Sequence, residues 1–371
     1  MSRRTLLTTI RRRHLHGSPS RLQPLLWSVE TASPSPRGCL DIEAFQKKAL
    51  IPQRPCLFTK DAGSPASCLP AFSKWFNRLA SPPDAIRAPP LASSLVQEFQ
   101  EWPFPYELIT VPGKQDAVSQ FQNSLMTSSE MTDQMMAGIL QSAVTKVVDQ
   151  TFFQLYAPLK LLVKALEFNS ARDPNTTHPL HLYIAQSALP DLPRSLQDDL
   201  PPPDIALRAG KGDIYGSSIW LGTEPTYTPL HRDPNPNLFC QLYSRKVVRL
   251  LPPNLGDKLF CQVQRQLRQQ GNSRIRTTDM MHGKERMTLH DAVWKKETSL
   301  EELHEVELAA GDALFIPEGW WHSVKSVEEQ FGFVTVLNYE LSHLVPLATA
   351  SPRPTDSTLP LLTQKMRKYG A

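Results

Sequence analysis

The sequence contains no long apolar run and no closely spaced pair of cysteines. No segment approaches the roughly 18 consecutive apolar residues that a membrane-spanning helix needs, so a transmembrane protein is not expected. The five cysteines form no C-x-x-C pair, which argues against a disulfide framework and against a zinc module. They are Cys39, Cys56, Cys68, Cys240 and Cys261. Such a scattered set is typical of a protein from a reducing compartment.

Acidic residues are absent from the first 29 positions, which contain six arginines and several serines and threonines. An arginine-rich, acid-free N-terminus is typical of a mitochondrial transit peptide, although a basic tail on a cytoplasmic or nuclear protein has the same composition. Without this leader the chain has 34 basic residues against 36 acidic ones. The body therefore offers no overall basic surface, and a nucleic-acid partner is not expected.

Composition divides the chain into four parts. Residues 1–37 are the leader and a Ser/Pro-rich linker, and residues 346–371 are a C-terminal tail. Residues 38–179 are predicted to be mixed and helical, with one helical stretch from Thr132 to Phe168, where apolar residues recur three and four positions apart. Residues 180–345 contain short apolar segments separated by Gly, Pro or Asn, which indicates a mainly β sandwich or barrel.

A histidine and an aspartate in the stretch TPLHRDPNPNLFCQLYSRK provide half of a metal site. In an extended strand alternate side chains share a face, so His231 and Asp233 are expected to point the same way. Iron(II) oxygenases use two imidazoles and one carboxylate on one face of an octahedron. The best candidate for the third ligand is His322 in GDALFIPEGWWH, where a turn, a short buried strand and Pro317 precede it. An H-x-D triplet alone also arises by chance in a chain of this length.

The segments TPLHRDPNPNLFCQLYSRKVVRLLPP and GDALFIPEGWWHSV resemble the jumonji-C, cupin-type 2-oxoglutarate oxygenases. Within them, the sequence is most similar to the small hydroxylase branch typified by factor inhibiting HIF, with weaker likenesses at HLYIAQ and FVTVLNY. The resemblance implies a double-stranded β-helix, a jelly-roll barrel with a helical N-terminal region. It also implies that Fe(II) is held by the two histidines and the aspartate. Lys246, Thr228, Tyr183, Asn237 and Asn338 match residues of the family that bind or lie near the cosubstrate 2-oxoglutarate.

The implied function is that of an Fe(II)- and 2-oxoglutarate-dependent dioxygenase that uses oxygen to hydroxylate a protein side chain. Two alternatives stay open: a jumonji oxygenase acting on methyl-lysine or on a tRNA base, and a non-catalytic cupin-like binding protein. Basic residues near the mouth of the site would favour the tRNA version, and the candidates are Arg274, Arg276, Lys284 and Arg286. They lie in a long polar connection, Asn254–Leu308, expected either to be a solvated loop or to shape substrate entry. Relatives commonly dimerise through helical elements, so a homodimer is considered as well.

Overall fold

The computed structural model describes residues 27–32, 40–77, 90–110, 116–144, 152–172, 178–268, 283–295, 302–327 and 333–341. Most of the predicted leader, the predicted tail, Arg274 and Arg276 lie outside the described residues. Within these ranges, no helix has the length and apolar character needed to cross a membrane.

The strands form two sheets. They are β1 (Trp27–Ser28), β2 (Glu30–Thr31), β3 (Cys56–Phe58), β4 (Pro103–Ile109), β5 (Phe152–Pro158), β6 (His181–Ala188), β7 (Ile214–Thr223), β8 (Tyr227–Arg232), β9 (Asn237–Tyr243), β10 (Lys246–Leu251), β11 (His304–Leu308), β12 (Ala313–Ile316), β13 (Trp321–Ser326) and β14 (Phe333–Leu341). The smaller sheet has the order β1-β11-β10-β13-β8, and the larger has the order β2-β3-β12-β9-β14-β7-β6-β4-β5. Neighbouring strands are antiparallel, except that β1 is parallel to β11 and β2 is parallel to β3.

The helices lie mostly before the main run of strands. They are α1 (Ile42–Phe45), α2 (Pro70–Lys74), α3 (Ser93–Phe99), α4 (Asp116–Met126), α5 (Met131–Val144), α6 (Leu159–Ser170), α7 (Arg194–Asp198), α8 (Asp204–Arg208), α9 (Pro253–Leu267) and α10 (Gly283–Trp294). A π-helical turn, Gln46–Leu50, continues α1, and 3-10 turns cover Lys60–Ala62 and Leu189–Asp191.

Alternation along β12 shows how the layers pack. Leu314 and Ile316 join the apolar cluster between the two sheets, whereas Ala313 and Phe315 join the cluster on the outer face of the larger sheet. All four side chains are almost completely buried. Because both faces of the strand are covered, its sequence is a continuous apolar run rather than an alternating one.

Apolar side chains from both sheets meet in the interior of the barrel. Val248 and Leu250 of β10 share one cluster with Trp220 of β7 and Val336 of β14. The N-terminal helices cover the outer face of the larger sheet, and α9 and α10 cover the outer face of the smaller one. This arrangement is a jelly-roll barrel with helical additions, so the predicted fold class is confirmed.

The continuous helix predicted from Thr132 to Phe168 is wrong in its middle, where β5 separates α5 from α6. Phe153, Leu155 and Ala157 of β5 are buried and alternate with more exposed residues, and the strand pairs with β4. Alternating apolar and aromatic residues suit a half-buried strand, because its side chains pack against cross-strand neighbours. Because β4 is distant from β5 in sequence, the helical periodicity of the segment does not by itself reveal this strand.

The long polar connection predicted at Asn254–Leu308 contains two helices, α9 and α10. α9 begins with Pro253 at its first turn, a position that tolerates proline because that backbone nitrogen needs no helical partner. Leu259, Phe260 and Val263 of α9 are buried against the smaller sheet. The helix is polar on its other face, which is why the segment resembles a solvated loop by composition.

Candidate active site

Two neighbouring strands of the smaller sheet bring the three predicted metal ligands together. His231 on β8 lies directly opposite His322 on β13. Asp233 follows β8 by one residue and lines the same cavity as His231, as alternation along an extended chain predicts. One ligand atom from each of the three residues lies within 4.8 Å of the others. The structure therefore gathers two imidazoles and one carboxylate at one place.

Backbone carbonyl groups set the orientation of both imidazole rings. His231 Nδ1 donates to the carbonyl oxygen of Pro229 at 2.8 Å, and His322 Nδ1 donates to that of Trp320 at 3.2 Å. Because a carbonyl oxygen can only accept, each ring carries a proton on Nδ1, and in the neutral ring the lone pair is then on Nε2. Both Nε2 atoms are turned toward Asp233. Metal-binding histidines are commonly held in this way.

The spacing of the three side chains fits a metal ion. Bonds of about 2.1 Å to a single ion place neighbouring ligand atoms about 3 Å apart. The Nε2 atoms of His231 and His322 lie 3.9 Å and 3.6 Å from the carboxylate oxygens of Asp233. Side-chain movements of about 1 Å bring the three groups to that distance. Two imidazoles and one carboxylate also form the donor set that non-haem Fe(II) takes, so the residues fit the ion.

The triad opens into a cavity of about 370 Å³ between the two sheets, and Lys246 lies at the far end of it. Lys246 is the first residue of β10, whereas Leu250, four residues later, lies opposite His322. At about 3.3 Å per residue, Lys246 is about 13 Å along the strand from the level of His322. The cavity therefore runs from the triad to a buried ammonium group.

The ammonium group of Lys246 is held among aromatic side chains. Lys246 is 4% exposed, and its Nζ donates to the hydroxyl of Tyr183 at 3.2 Å. The same Nζ lies 5.7 Å from the ring centre of Tyr183 and 5.8 Å from that of Phe239. A buried cation in such a setting is costly unless an anion meets it, so this end of the cavity suits a carboxylate.

The other predicted cosubstrate residues also line the cavity. Thr228 does so although it is three residues from His231, because one residue of β13, Ser323, opposes two residues of β8 at this point. Asn237 of β9 donates from Nδ2 to Asp233 at 3.3 Å, and Asn338 of β14 faces the same space. The structure thus brings every predicted site residue to one cavity, and their roles as ligands stay predictions.

Sequence reasoning missed Glu340, which also lines the cavity. Burial, followed by the nearby negative charge of Asp233, raises the pKa of the Glu340 carboxyl. Asn235 donates from Nδ2 to its Oε2 atom at 3.4 Å. Glu340 lies two residues after Asn338, so alternation along β14 was the signal that could have found it.

The predicted basic residues do not form the mouth of this cavity in the part of the chain that the structure describes. Arg286 stacks on Tyr227, with its guanidinium carbon 4.5 Å from the ring centre, and donates to the Tyr227 carbonyl oxygen at 3.1 Å. It does not line the cavity, and Lys284 is exposed on the same helix. Arg286 therefore ties α10 to β8, and the described residues give the tRNA alternative no support.

Known proteins provide independent comparisons. Residues 43–340 match the family described as cupin-like domain. The chain is 30% identical over 167 residues to lysine-specific demethylase JMJ30 of Arabidopsis thaliana, which covers 45% of this chain and 36% of that protein. It is 30% identical over 150 residues to lysine-specific demethylase 8 of Danio rerio, covering 40% and 34%. It is 29% identical over 161 residues to JmjC domain-containing protein D of Dictyostelium discoideum, covering 40% and 33%.

These matches span about a third of the length of the curated relatives. They support the jumonji-C superfamily and do not support the expected placement in the branch of factor inhibiting HIF. They give the mitochondrial location no support, and the location and the homodimer stay predictions. The family match covers most of the chain, including the N-terminal helices and both sheets. The chain therefore belongs to the cupin-like domain family.

Proposed function

We propose that this chain is an Fe(II)- and 2-oxoglutarate-dependent oxygenase that acts on a protein side chain. The observation that carries the proposal is the cavity, which joins a His-Asp-His face at one end to a buried ammonium at the other. A His-Asp-His metal site by itself would be consistent with many different protein functions. The lysine at the far end is what favours a dicarboxylic cosubstrate over water or a neutral ligand.

Each residue has a specific part in this proposal. His231, Asp233 and His322 would hold Fe(II), leaving three adjacent coordination positions for the keto-acid end of 2-oxoglutarate and for oxygen. Lys246 would pair with the distal carboxylate, and Tyr183 and Thr228 would donate hydrogen bonds to it. In backbone position Lys246 lies about 13 Å along β10 from the level of His322, and 2-oxoglutarate would span the cavity between them.

The bound metal and cosubstrate would supply the oxidation of a substrate C–H bond, with 2-oxoglutarate converted to succinate and carbon dioxide. The chain's own residues would bind and orient the cosubstrate and the substrate, and would exclude water. Trp220, Phe239 and Val336 line the cavity with apolar surface. Such walls strengthen the charge interactions of Lys246 and of the triad because they keep water away.

The relatives favour methylated lysine as the substrate, since two of those described are named as lysine-specific demethylases. Hydroxylation of an N-methyl carbon gives an unstable hemiaminal, which releases formaldehyde and leaves the amine. Hydroxylation of another side-chain carbon by the same site would leave a stable alcohol. Demethylation is therefore the better supported outcome, and stable hydroxylation is the second candidate because the motif segments resemble the small hydroxylases.

The first experiment is an anaerobic titration of the purified protein with Fe(II) and 2-oxoglutarate, followed by the visible metal-to-ligand charge-transfer band. The wild-type protein should develop the band, and His231→Ala should abolish it because an essential ligand is lost. Lys246→Met should weaken 2-oxoglutarate binding by at least about tenfold, since the distal carboxylate loses its partner. Lys258→Met removes an exposed lysine of α9 and is the matched control, with unchanged binding expected.

No band at saturating Fe(II) and 2-oxoglutarate would contradict the proposal and leave the binding-protein alternative in its place. If the band forms, mass spectrometry of methylated-lysine peptides after aerobic incubation separates the two outcomes. Loss of 14 mass units per methyl group indicates demethylation, whereas a gain of 16 indicates a stable alcohol, both values following from the atoms exchanged.

A further inference from the structure

Side chains of opposite charge lie at the two ends of the cavity. Lys246 lies at one end, among the rings of Tyr183 and Phe239. Glu340 lies at the other end, where its neighbours are polar. The function proposed above uses the ammonium end and the triad but gives Glu340 no role.

Strand register places Glu340 on the triad's side of the cavity. Val336, Asn338 and Glu340 alternate along β14 and all line the cavity, so Glu340 is about 13 Å along the strand from Val336. Glu340 lies opposite Asn237 of β9, and Asn237 donates to Asp233. The Glu340 carboxylate is therefore close to the predicted metal face and far from Lys246.

Among the described residues that line the cavity, the charges of the filled site leave Glu340 without a positive counterpart. The dication and the dianionic cosubstrate would cancel each other, and Lys246 offsets Asp233. Among the described residues that line the cavity, Asp233 and Glu340 are the acidic side chains and Lys246 is the one with a permanent positive charge. Glu340 is partly buried, which makes an unpaired negative charge unfavourable. A positively charged substrate group would relieve this cost.

The neighbours of Glu340 determine which kind of cation suits it. Asn235 donates to Glu340, and Asn237 lies opposite it on β9, whereas the rings of Tyr183 and Phe239 lie around the ammonium group of Lys246. An ammonium or guanidinium group that carries N–H donors forms short, strong hydrogen bonds with a carboxylate. A quaternary ammonium has no N–H and is bound best by the faces of aromatic rings.

We propose that Glu340 is a specificity-determining residue that accepts hydrogen bonds from a cationic N–H group of the substrate side chain. The inference rests on the proposed function and narrows its substrate class. Lysine carrying at least one N–H, or arginine, is favoured. Trimethyl-lysine, citrulline and norleucine are disfavoured, because they lack either the N–H donor or the charge.

Saturation-transfer NMR on the full chain loaded with Zn(II) and 2-oxoglutarate tests this inference without turnover. The probes are the N-acetyl amides of lysine, monomethyl-lysine, trimethyl-lysine, arginine, citrulline and norleucine, each at the same concentration. The first two and arginine should receive at least about fivefold more saturation at their side-chain protons than the other three. Glu340→Gln keeps the shape and removes the charge, so it should abolish this preference. Glu307→Gln, a surface change of equal charge on β11, should leave it intact.

The same spectra separate the inference from the function on which it rests. Saturation of the 2-oxoglutarate protons reports the cosubstrate site, and its persistence in Glu340→Gln shows that the variant is folded. A wild-type protein that saturates trimethyl-lysine or norleucine as strongly as lysine overturns the role of Glu340, whatever the cosubstrate signal. A cation preference that depends on Glu340 without any 2-oxoglutarate signal supports the inference and overturns the proposed cosubstrate instead.

Discussion

Tyr183 lies across the backbone of Gly222, and this contact sets the position of the Tyr183 hydroxyl beside Lys246. The two residues are cross-strand partners in β6 and β7. A Cβ atom at position 222 would lie 1.7 Å from Cδ2 and 2.5 Å from Cε2 of the tyrosine ring. Atoms that are not bonded to each other do not approach so closely. The absence of a side chain at Gly222 is therefore what allows the tyrosine ring to lie there.

Gly222→Ala is therefore expected to displace Tyr183 and weaken 2-oxoglutarate binding by about tenfold, because the hydroxyl leaves the ammonium of Lys246. Binding of Fe(II) should change little, since the triad is on other strands. The two affinities can be measured separately by anaerobic titration.

Two further variants show whether the tyrosine carries this effect. Gly216→Ala in the same strand is the matched control, because its Cβ would lie 3.8 Å from the nearest atom, an ordinary contact. Tyr183→Ala with Gly222→Ala should bind 2-oxoglutarate no worse than Tyr183→Ala alone. Additive losses in the double variant would show that Gly222 acts by another route.

At the scale of elements, α9 is packed directly on the strand that carries His322. A Cβ atom at Gly256 would lie 2.1 Å from Cδ1 and Cγ of Trp321, the residue before His322. Trp321 is completely buried, and its ring centre lies 5.0 Å from that of Phe260 in the same helix. The helix therefore holds the outer face of β13, and the histidine projects from the inner face.

Gly256→Ala should lower the free energy of unfolding by about 1–3 kcal/mol, because α9 or the indole must move to make room. It should also weaken Fe(II) binding, since any displacement of Trp321 moves His322. Chemical denaturation and Fe(II) titration measure the two effects.

Gly138→Ala is the control within a helix. Nothing lies within 4 Å of a Cβ built at this position in α5, so the alanine should be neutral or stabilise the protein by about 0.5–1 kcal/mol through its higher helix propensity. Equal destabilisation by Gly256→Ala and Gly138→Ala would mean that the close contact between α9 and β13 does not cause the loss of stability.

At the scale of the whole molecule, a partly buried histidine links folding to pH. His181 begins β6, where it pairs with Ile109 of β4, and so lies where the N-terminal strands join the barrel. Burial, with further contributions from the positive charges of Arg286 and His178, lowers the pKa of His181 to about 4. The folded protein therefore keeps this ring neutral at pH values where the unfolded chain protonates it.

The free energy of unfolding should fall as the pH drops from about 6.5 to about 4, because the unfolded chain binds a proton that folded His181 does not. At about 1.4 kcal/mol per pKa unit, the loss from this residue is roughly 2–3 kcal/mol. Denaturant titrations at several pH values measure it. His181→Gln should flatten the dependence in this window, and an unchanged slope would assign the effect to other groups.

Much of the site could be predicted from local sequence because its geometry follows from strand periodicity. Two-residue alternation puts His231 and Asp233 on one side of an extended chain, whatever the fold around them. The turn and apolar run before Trp320 likewise indicated a buried strand leading to His322. The same rule applied to FVTVLNYE places Glu340 on the same face as Asn338, so this position could be predicted from the sequence as well.

What the sequence by itself determined was the class of fold, the identity of the clustered side chains and the order in which they occur. Only the tertiary structure decided which segments pack against each other. It shows that β5 forms beside β4 where a helix was predicted, that α9 packs on Trp321, and that the strand register sets His231 opposite His322. It also decided that Lys246 and Glu340 lie at opposite ends of one cavity. The physical reason is that local periodicity reports which face a residue takes, whereas pairing depends on contacts between segments distant in the chain.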